Sequence, residues 1–422
     1  MMKLYDHQKI ALTEARPILE RAGVVLLACS CRSGKSLVAL ALAFGYSCPV
    51  LFVTKKAAIG SVTSDASIMS GWGHEVDLEV TSWDSLHKVT RSDYGAIICD
   101  EIHSASSGPK QTKRCAAVQK IFKRTGAKAI LLSATPAMES ICSMFHTFQL
   151  TCRGPWTDYR GHGNGFYAWF KSYGIPDKIR IAGGQEVKSY KKGKFDEIMK
   201  SVGPLMVTLT AEEAGFEQKP VIKFHEIENQ HAVSLVRRMQ KDGVINVDGR
   251  FVVGENPAPR LQKMYMIGGG TFIDDGGEAG ILPTMYKPYY KAHFISERIE
   301  RGKQYAIFTH FMHERVLLKN FFGSGITDSM EDFKAGKALL FVGSIKTFCE
   351  GVDLSWISGA MILYSLSFSG TTFHQICQRM QNKKRKDPIH IHVLGLKGGF
   401  CRDVFEAVNR KEDFNTRLMR WV

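Results

Sequence analysis

Cys29-Ser30-Cys31-Arg32-Ser33-Gly34-Lys35-Ser36 is the stretch on which the reading of this chain turns. It follows the apolar run Gly23 to Ala28 and opens the helix-like run Leu37 to Phe44, so it reads as a strand, a tight loop and a helix start. Such a loop points successive backbone N–H groups and a helix N-terminus at one spot, where phosphate is favoured by hydrogen bonding and by the helix dipole. Lys35 would reach the β- and γ-phosphates of a nucleotide, and the Ser36 hydroxyl would hold Mg²⁺. The usual pattern, G-x-x-x-x-G-K-[ST], has glycine where this chain has Cys29. Gly34-Lys35-Ser36 alone says little, and its place behind a buried strand gives it meaning.

Outward from the loop, short apolar runs recur at Val50 to Val53, Leu78 to Val80, Ala96 to Cys99 and Ala129 to Leu132. Each is continuous rather than alternating, as expected of strands buried on both faces of a parallel sheet with helices between them. The expectation is an α/β doubly wound lobe. Ahead of the loop, Leu4 to Leu19 predicts an amphipathic helix, on which the Gln8 amide, with its paired donor and acceptor, suits an adenine edge. The Ala96 run ends in Asp100-Glu101-Ile102-His103. Adjacent carboxylates at the C-terminal end of a buried strand lie where open α/β sheets bind ligands, with Asp100 placed to hold Mg²⁺ and Glu101 to polarise an attacking water. Ser133-Ala134-Thr135-Pro136 closes the next run, where small hydroxyl residues either form a plain turn or end a strand beside the Mg²⁺ site.

Between Pro136 and about Pro283 no second lobe can be traced. Trp156, Phe166, Tyr167, Trp169 and Phe170 are joined by the basic run Lys188-Ser189-Tyr190-Lys191-Lys192-Gly193-Lys194. That mixture suits nucleic-acid backbone contact and base stacking, or else a small helical core beside a solvated loop. Gly268 to Gly277 reads as a linker or lobe boundary. From Tyr286 the α/β rhythm returns, with strands expected at Tyr305 to Phe308, Ala338 to Val342, Ala360 to Tyr364 and Ile389 to Leu394. The expected division is a first lobe over 1–150, an insertion and linker over 151–283 and a second lobe over 284–422. His390 and His392, two apart on one strand, read as strand packing rather than a metal pair, since no third ligand is near in sequence.

Composition narrows the partners. The 422 residues are 44% hydrophobic and 23% charged, ordinary for a globular chain, with a net charge of +15 that suits a polyanion such as nucleic acid. Ten cysteines with no C-x-x-C pair point to a reducing compartment. No apolar run approaches the ~20 residues of a membrane span, and the N-terminus lacks a signal-peptide core, so a cytoplasmic protein is expected.

Taken in order, Gln8, Cys29 to Ser36, Val50 to Lys55, Val80-Thr81-Ser82-Trp83-Asp84, Asp100 to His103 and Ser133 to Thr135 resemble motifs Q, I, Ia, Ib, II and III of superfamily 2 helicases. Phe308 to Phe311 resembles motif IV, Ser344 to Leu354 motif V, and Gln375 to Arg379 the start of motif VI. The closest form is the compact Swi/Snf-like branch of the kind phages encode, on account of Arg32, the Trp156 to Tyr173 stretch, and the long inter-lobe segment, in which Glu212 to His231 resembles the passage from first lobe to second. The resemblance implies two tandem RecA-like lobes that hydrolyse ATP with Mg²⁺ between them and move along duplex DNA as a monomer, in the host cytoplasm if the chain is phage-encoded. Alternatives are a strand-separating or annealing helicase on branched DNA, or a nucleic-acid-binding module with a degenerate ATPase fold. It further implies that Cys29, Ser30, Cys31, Arg32, Ser33 and Gly34 line the nucleotide, that Gly351 and Asp353 approach it from the second lobe, and that His103, Ser133, Thr135 and Gln375 couple the sites. Arg379 stands at the first arginine position of motif VI. The second is Asn382, and Arg385 would replace it only if the helix continued one further turn.

Overall fold

The computed structural model describes residues 4–73, 77–105, 109–137, 140–159, 165–180, 186–216, 218–349, 352–382, 385 and 387–410. The chain divides into two units, with the boundary between Phe216 and Glu217.

In the first unit, α1 (Asp6–Ala22) precedes β1 (Val24–Cys29), and α2 (Lys35–Phe44), β2 (Val50–Thr54), α3 (Ile59–Ser70), β3 (Leu78–Ser82), β4 (Ala96–Cys99), α4 (Lys113–Thr125) and β5 (Lys128–Leu132) follow. Then come α5 (Ser143–Gln149), α6 (Gly165–Tyr173), the hairpin β6 (Asp177–Arg180) and β7 (Glu186–Ser189), α7 (Phe195–Val202) and β8 (Met206–Leu209). The sheet order is β3-β2-β4-β5-β1-β8, and every neighbouring pair is parallel. Alternate residues explain the continuous apolar runs. Val24, Leu26, Leu51, Ile97 and Leu131 face one core, while Val25, Leu27, Phe52, Ile98 and Ile130 face another, shared with Leu19, Val38 and Leu42 of α1 and α2. Both faces are covered, so neither can carry polar alternation.

The boundary expected at 150 does not appear. Trp156, Phe166, Trp169 and Phe170 pack with Phe145 into the first of those cores, Trp169 being fully buried. Ring centroids of Phe145 and Trp156 each lie 5.2 Å from Trp169. These aromatics therefore fill a core, while Lys188, Lys191, Lys192 and Lys194 stay on the surface. Beyond them β8 joins the sheet edge beside β1, so the segment up to 216 completes the first lobe.

The second unit opens with β9 (Pro220–Ile227), α8 (Gln230–Asp242), a hairpin of β10 (Val244–Val247) and β11 (Arg250–Val253), α9 (Pro257–Ile267), and a hairpin of β12 (Thr271–Ile273) and β13 (Ala279–Ile281). It continues with α10 (Tyr290–Ser296), β14 (Tyr305–Thr309), α11 (Met312–Phe322), β15 (Ile326–Thr327), α12 (Met330–Lys334), β16 (Leu340–Ser344), α13 (Ile345–Phe348), β17 (Met361–Leu363), α14 (Gly370–Cys377) and β18 (Ile389–Leu396). The order β15-β16-β14-β17-β18-β9 is again parallel throughout. β9 pairs with β18 along its whole length, so the second lobe begins at the 216/217 boundary and not at 284. That boundary falls inside the Glu212 to His231 passage. Gly268 to Gly277 is likewise internal: Tyr290 Oη donates to the Gly268 carbonyl at 2.5 Å and Tyr364 Oη to that of Gly269 at 2.9 Å.

His392 Nδ1 lies 2.9 Å from His225 Nε2 across the β9–β18 pair. Among the described residues no group of three or more His, Cys, Asp or Glu could hold a metal, and no helix is long and apolar enough to cross a membrane. No two of the ten cysteines are joined by a disulfide.

Candidate active site

The phosphate loop leaves β1 at its C-terminal end. Cys29 is the last residue of that strand, in register with Leu209 of β8, and its thiol is fully buried and pushed up to about 12 by that burial. The departure from the glycine pattern thus falls at a regular strand position that a small apolar side chain fills. Ser30 N donates to the Leu209 carbonyl at 2.8 Å, which anchors the loop to β8. Arg32 (φ 66°) and Gly34 (φ 81°) are left-handed, turning the chain into α2. At Gly34 a Cβ would be strained by the positive φ and would push against the Gln8 amide. Cys31 and Ser33 are buried in the turn, and Lys35 and Ser36 begin the helix.

Gln8 reaches this loop from α1. Its Nε2 donates to the Ser33 carbonyl at 3.1 Å, its Oε1 accepts from Tyr5 N at 3.0 Å, and His7 Nε2 lies 3.2 Å from the same carbonyl. In this arrangement the amide braces the loop.

The acidic pair ends β4, and β5 lies between β4 and β1. Lys35 Nζ stands 3.2 Å from Glu101 Oε1, with both side chains only 13% and 12% exposed, and His103 Nδ1 lies 3.3 Å from Glu101 Oε2. Burial works to raise the Glu101 carboxyl, but the Lys35 ammonium, helped by His103 and Lys55, outweighs it and holds Glu101 well below the usual carboxylate range. Asp100 goes the other way, because burial raises it and the Glu101 charge adds to that, while Lys35 and Thr54 only partly compensate. Asp100 Oδ2 accepts from Thr54 Oγ1 at 2.9 Å, whereas Oδ1 is buried with no hydrogen-bond partner.

A buried carboxylate oxygen without a donor suits a cation ligand, and Mg²⁺ uses one or two protein oxygens together with substrate phosphates rather than an all-protein cage. Asp100 fits that role. Ser133 and Thr135 follow β5 and therefore come between loop and acidic pair. Ser133 Oγ accepts from Thr135 N at 3.1 Å, and Thr135 Oγ1 is buried with no hydrogen-bond partner.

In the second unit Arg379 lies in a short 3₁₀ turn, Gln378–Met380, after α14, where its Nε donates to the Cys349 carbonyl at 2.7 Å. Gln375 is buried within α14, and Asp353 Oδ1 accepts from Ser355 N at 2.8 Å. The continued helix that Arg385 needed is absent: Gln381 is already extended, with ψ 135°. The Arg385 guanidinium donates instead to the carbonyls of Ile357 at 3.0 Å and Ser355 at 3.4 Å, and burial lowers its pKa from the ordinary value. Gly351, Lys383, Lys384 and Lys386 lie outside the described residues.

Sequence reasoning assigned no role to Thr54 or Trp83, although both stand in quoted motifs. Trp83 Nε1 donates to the Asp100 carbonyl at 2.9 Å. The available signal was their place at strand ends, Thr54 closing β2 beside the acidic strand and Trp83 following β3 one strand further out.

No family model matches the chain, and no curated protein matches it in sequence. Among solved structures, the Sulfolobus solfataricus SWI2/SNF2 ATPase core in complex with dsDNA aligns at TM-score 0.41 and 15% identity, covering 98% of this chain and 92% of that one. The Sulfolobus solfataricus SWI2/SNF2 ATPase core domain aligns at TM-score 0.41 and 15% identity over 97% and 89%. The functional reading rests on the residues of the site itself.

Proposed function

We propose that this chain is an ATP-driven motor of the Swi/Snf-like kind that moves along duplex DNA. The observation that carries the reading is the meeting of Lys35 and Glu101 at 3.2 Å beside the unpartnered Asp100 Oδ1, at the mouth of a left-handed loop that opens a helix. Backbone N–H groups of the loop hold the phosphates, and Lys35 neutralises the bridging charge. Ser36 and Asp100 would hold Mg²⁺, which would supply charge neutralisation on the phosphate oxygens when bound.

Lys35 has two possible partners in this scheme, Glu101 and phosphate. When it turns to phosphate, Glu101 loses the cation that holds its pKa down and becomes able to take a proton from the attacking water. Arg379 is assigned the further positive charge, a role worth roughly 10³ to 10⁵ in rate where an arginine fills it. The net charge of +15 favours a polyanionic track.

The deciding experiment compares ATP turnover without nucleic acid and with duplex DNA, single-stranded DNA or RNA. Strongest stimulation by duplex DNA is expected, together with displacement of a triplex-forming strand and an intact forked duplex. Fork opening would favour strand separation instead, and turnover at background with every nucleic acid would remove the motor reading. Duplex affinity should also fall steeply between low and physiological salt, by orders of magnitude if several phosphates are contacted.

A further inference from the structure

We infer that Trp83 is a positioning residue for the metal ligand Asp100, an inference that rests on the nucleotide-site reading above. β3, β2 and β4 lie side by side, so the turn that leaves β3 passes over the end of β2 and meets the end of β4. Trp83 N donates to the Thr54 carbonyl at 3.0 Å, its ring is 3% exposed in the core, and Nε1 donates to the Asp100 carbonyl at 2.9 Å. Asp100 N donates to the Val53 carbonyl at 2.8 Å, and Oδ2 accepts from Thr54. Asp100 is thus gripped at its N–H, its carbonyl and one carboxylate oxygen. The remaining oxygen, Oδ1, is the one left without a hydrogen-bond partner.

The carbonyl that Trp83 holds belongs to the same peptide unit as the Glu101 nitrogen. Glu101 is left-handed, with φ 49°, an unfavourable conformation for a residue with a Cβ, which persists only where surrounding bonds over-determine it. The indole bond fixes the plane of that peptide, and so sets where both carboxylates of the pair emerge.

A second tie leaves the same turn. Arg114 Nη2 bonds Asp84 Oδ1 at 2.7 Å and its Nη1 donates to the Ser104 carbonyl at 3.3 Å. The Asp84 side chain is 75% exposed, however, and an ion pair in water holds little. Loss of the buried indole donor strands a carbonyl inside the protein, which is the costlier change. The competing view is that Trp83 is a plain core residue whose N–H found a convenient acceptor.

The test uses the full chain with a non-hydrolysable ATP analogue and Mn²⁺ read by electron paramagnetic resonance. Trp83→Phe keeps an aromatic ring and drops the donor, and Thr54→Val removes the bond to Oδ2. Both are expected to weaken Mn²⁺ binding about tenfold or more, in the range seen for outer-shell partners of metal ligands, with metal-free nucleotide affinity within about twofold of the parent. In turnover the loss should fall on kcat and on the Mg²⁺ requirement, with KM for ATP little changed.

Mn²⁺ affinity in Trp83→Phe within about twofold of the parent, accompanied by a lower melting temperature, would make Trp83 a core residue only. If Trp83→Phe fails to fold, β-(3-benzothienyl)alanine at position 83 keeps the bicyclic shape without the N–H and carries the same comparison. A parent that binds Mn²⁺ with nucleotide but never hydrolyses ATP would sink the proposed function and leave this inference standing or falling on the Mn²⁺ measurement. A parent that binds no Mn²⁺ with nucleotide would overturn both.

Discussion

Each of the two sheets carries a buried carboxylate and a buried lysine near the C-terminal ends of its central strands, and the two pairs are held in opposite ways. In the first unit Lys35 and Glu101 face each other directly, and Asp100 keeps one oxygen without a hydrogen-bond partner. In the second unit Glu314 is fully buried on α11, where Oε2 accepts from Phe311 N at 3.1 Å and from the Ser365 hydroxyl. Lys291 on α10 is 1% exposed, and its Nζ donates to the carbonyls of Tyr364 at 3.0 Å and Leu394 at 3.4 Å. Burial pushes Glu314 up to about 7, whereas the Lys35 charge holds Glu101 down. A buried carboxylate therefore does not by itself mark chemistry. An oxygen without a hydrogen-bond partner does not separate the two, since Glu314 Oε1 is buried without one as well. What separates them is the direct Lys35 ion pair of Glu101, which a ligand can exchange, against the backbone N–H and the hydroxyl that hold Glu314.

The largest effects should break this comparison cleanly. Lys35→Ala should abolish ATP turnover with the fold retained, and Glu101→Gln should cut it by roughly 10² to 10⁴ while nucleotide still binds. Glu314→Gln should leave turnover within about threefold of the parent. A steady-state assay on the three variants checks this, and a Glu314→Gln loss comparable to that of Glu101→Gln would erase the distinction. Next in size, Arg379→Ala should lower stimulated turnover by on the order of 10² or more. Arg385→Ala should act mainly on the melting temperature, because its guanidinium satisfies the carbonyls of Ser355 and Ile357. Loss of turnover in Arg385→Ala with an unchanged melting curve would return Arg385 to the phosphate.

A smaller effect sharpens the comparison through pH. Glu314 holds its proton up to about 7 in the folded chain against an ordinary value of 4.5, so between those values the folded state binds more protons than the unfolded one. Stability from this group is complete below the ordinary value and falls as pH rises through the folded one, by at most about 1.4 kcal/mol per pH unit. His392 works oppositely. Burial first, then His225, His390, Lys223 and Arg298, lower it to about 4, so it costs stability as pH falls below its ordinary 6.5. Denaturant unfolding of Glu314→Gln minus parent, measured from pH 5 to 8, isolates the first contribution. The variant should gain on the parent as pH rises, and parallel curves would mean that Glu314 stays ionised throughout.

The sequence by itself determined most of what repeats locally. The strand positions of both sheets were legible because residues buried on both faces must be apolar without alternation, and the loop Cys29 to Ser36 and the pair Asp100-Glu101 were legible because each sits at a strand end. β8 and β9 were not. β8 is four residues in a stretch that read as an insertion, and β9 lies at a sheet edge, where partial exposure blurs the run into a mixed pattern. Their partners, β1 and β18, are 180 and 169 residues away at the pairs Leu26–Met206 and Ile389–Pro220, so no local pattern could announce them. Only the tertiary structure placed the aromatic segment in a core, withdrew Arg385 from the helix that would have aimed it, and set Trp83 and Thr54 against Asp100. Those outcomes depend on which strand ends become neighbours, and sheet order is decided by long-range pairing rather than by the residues of any one strand.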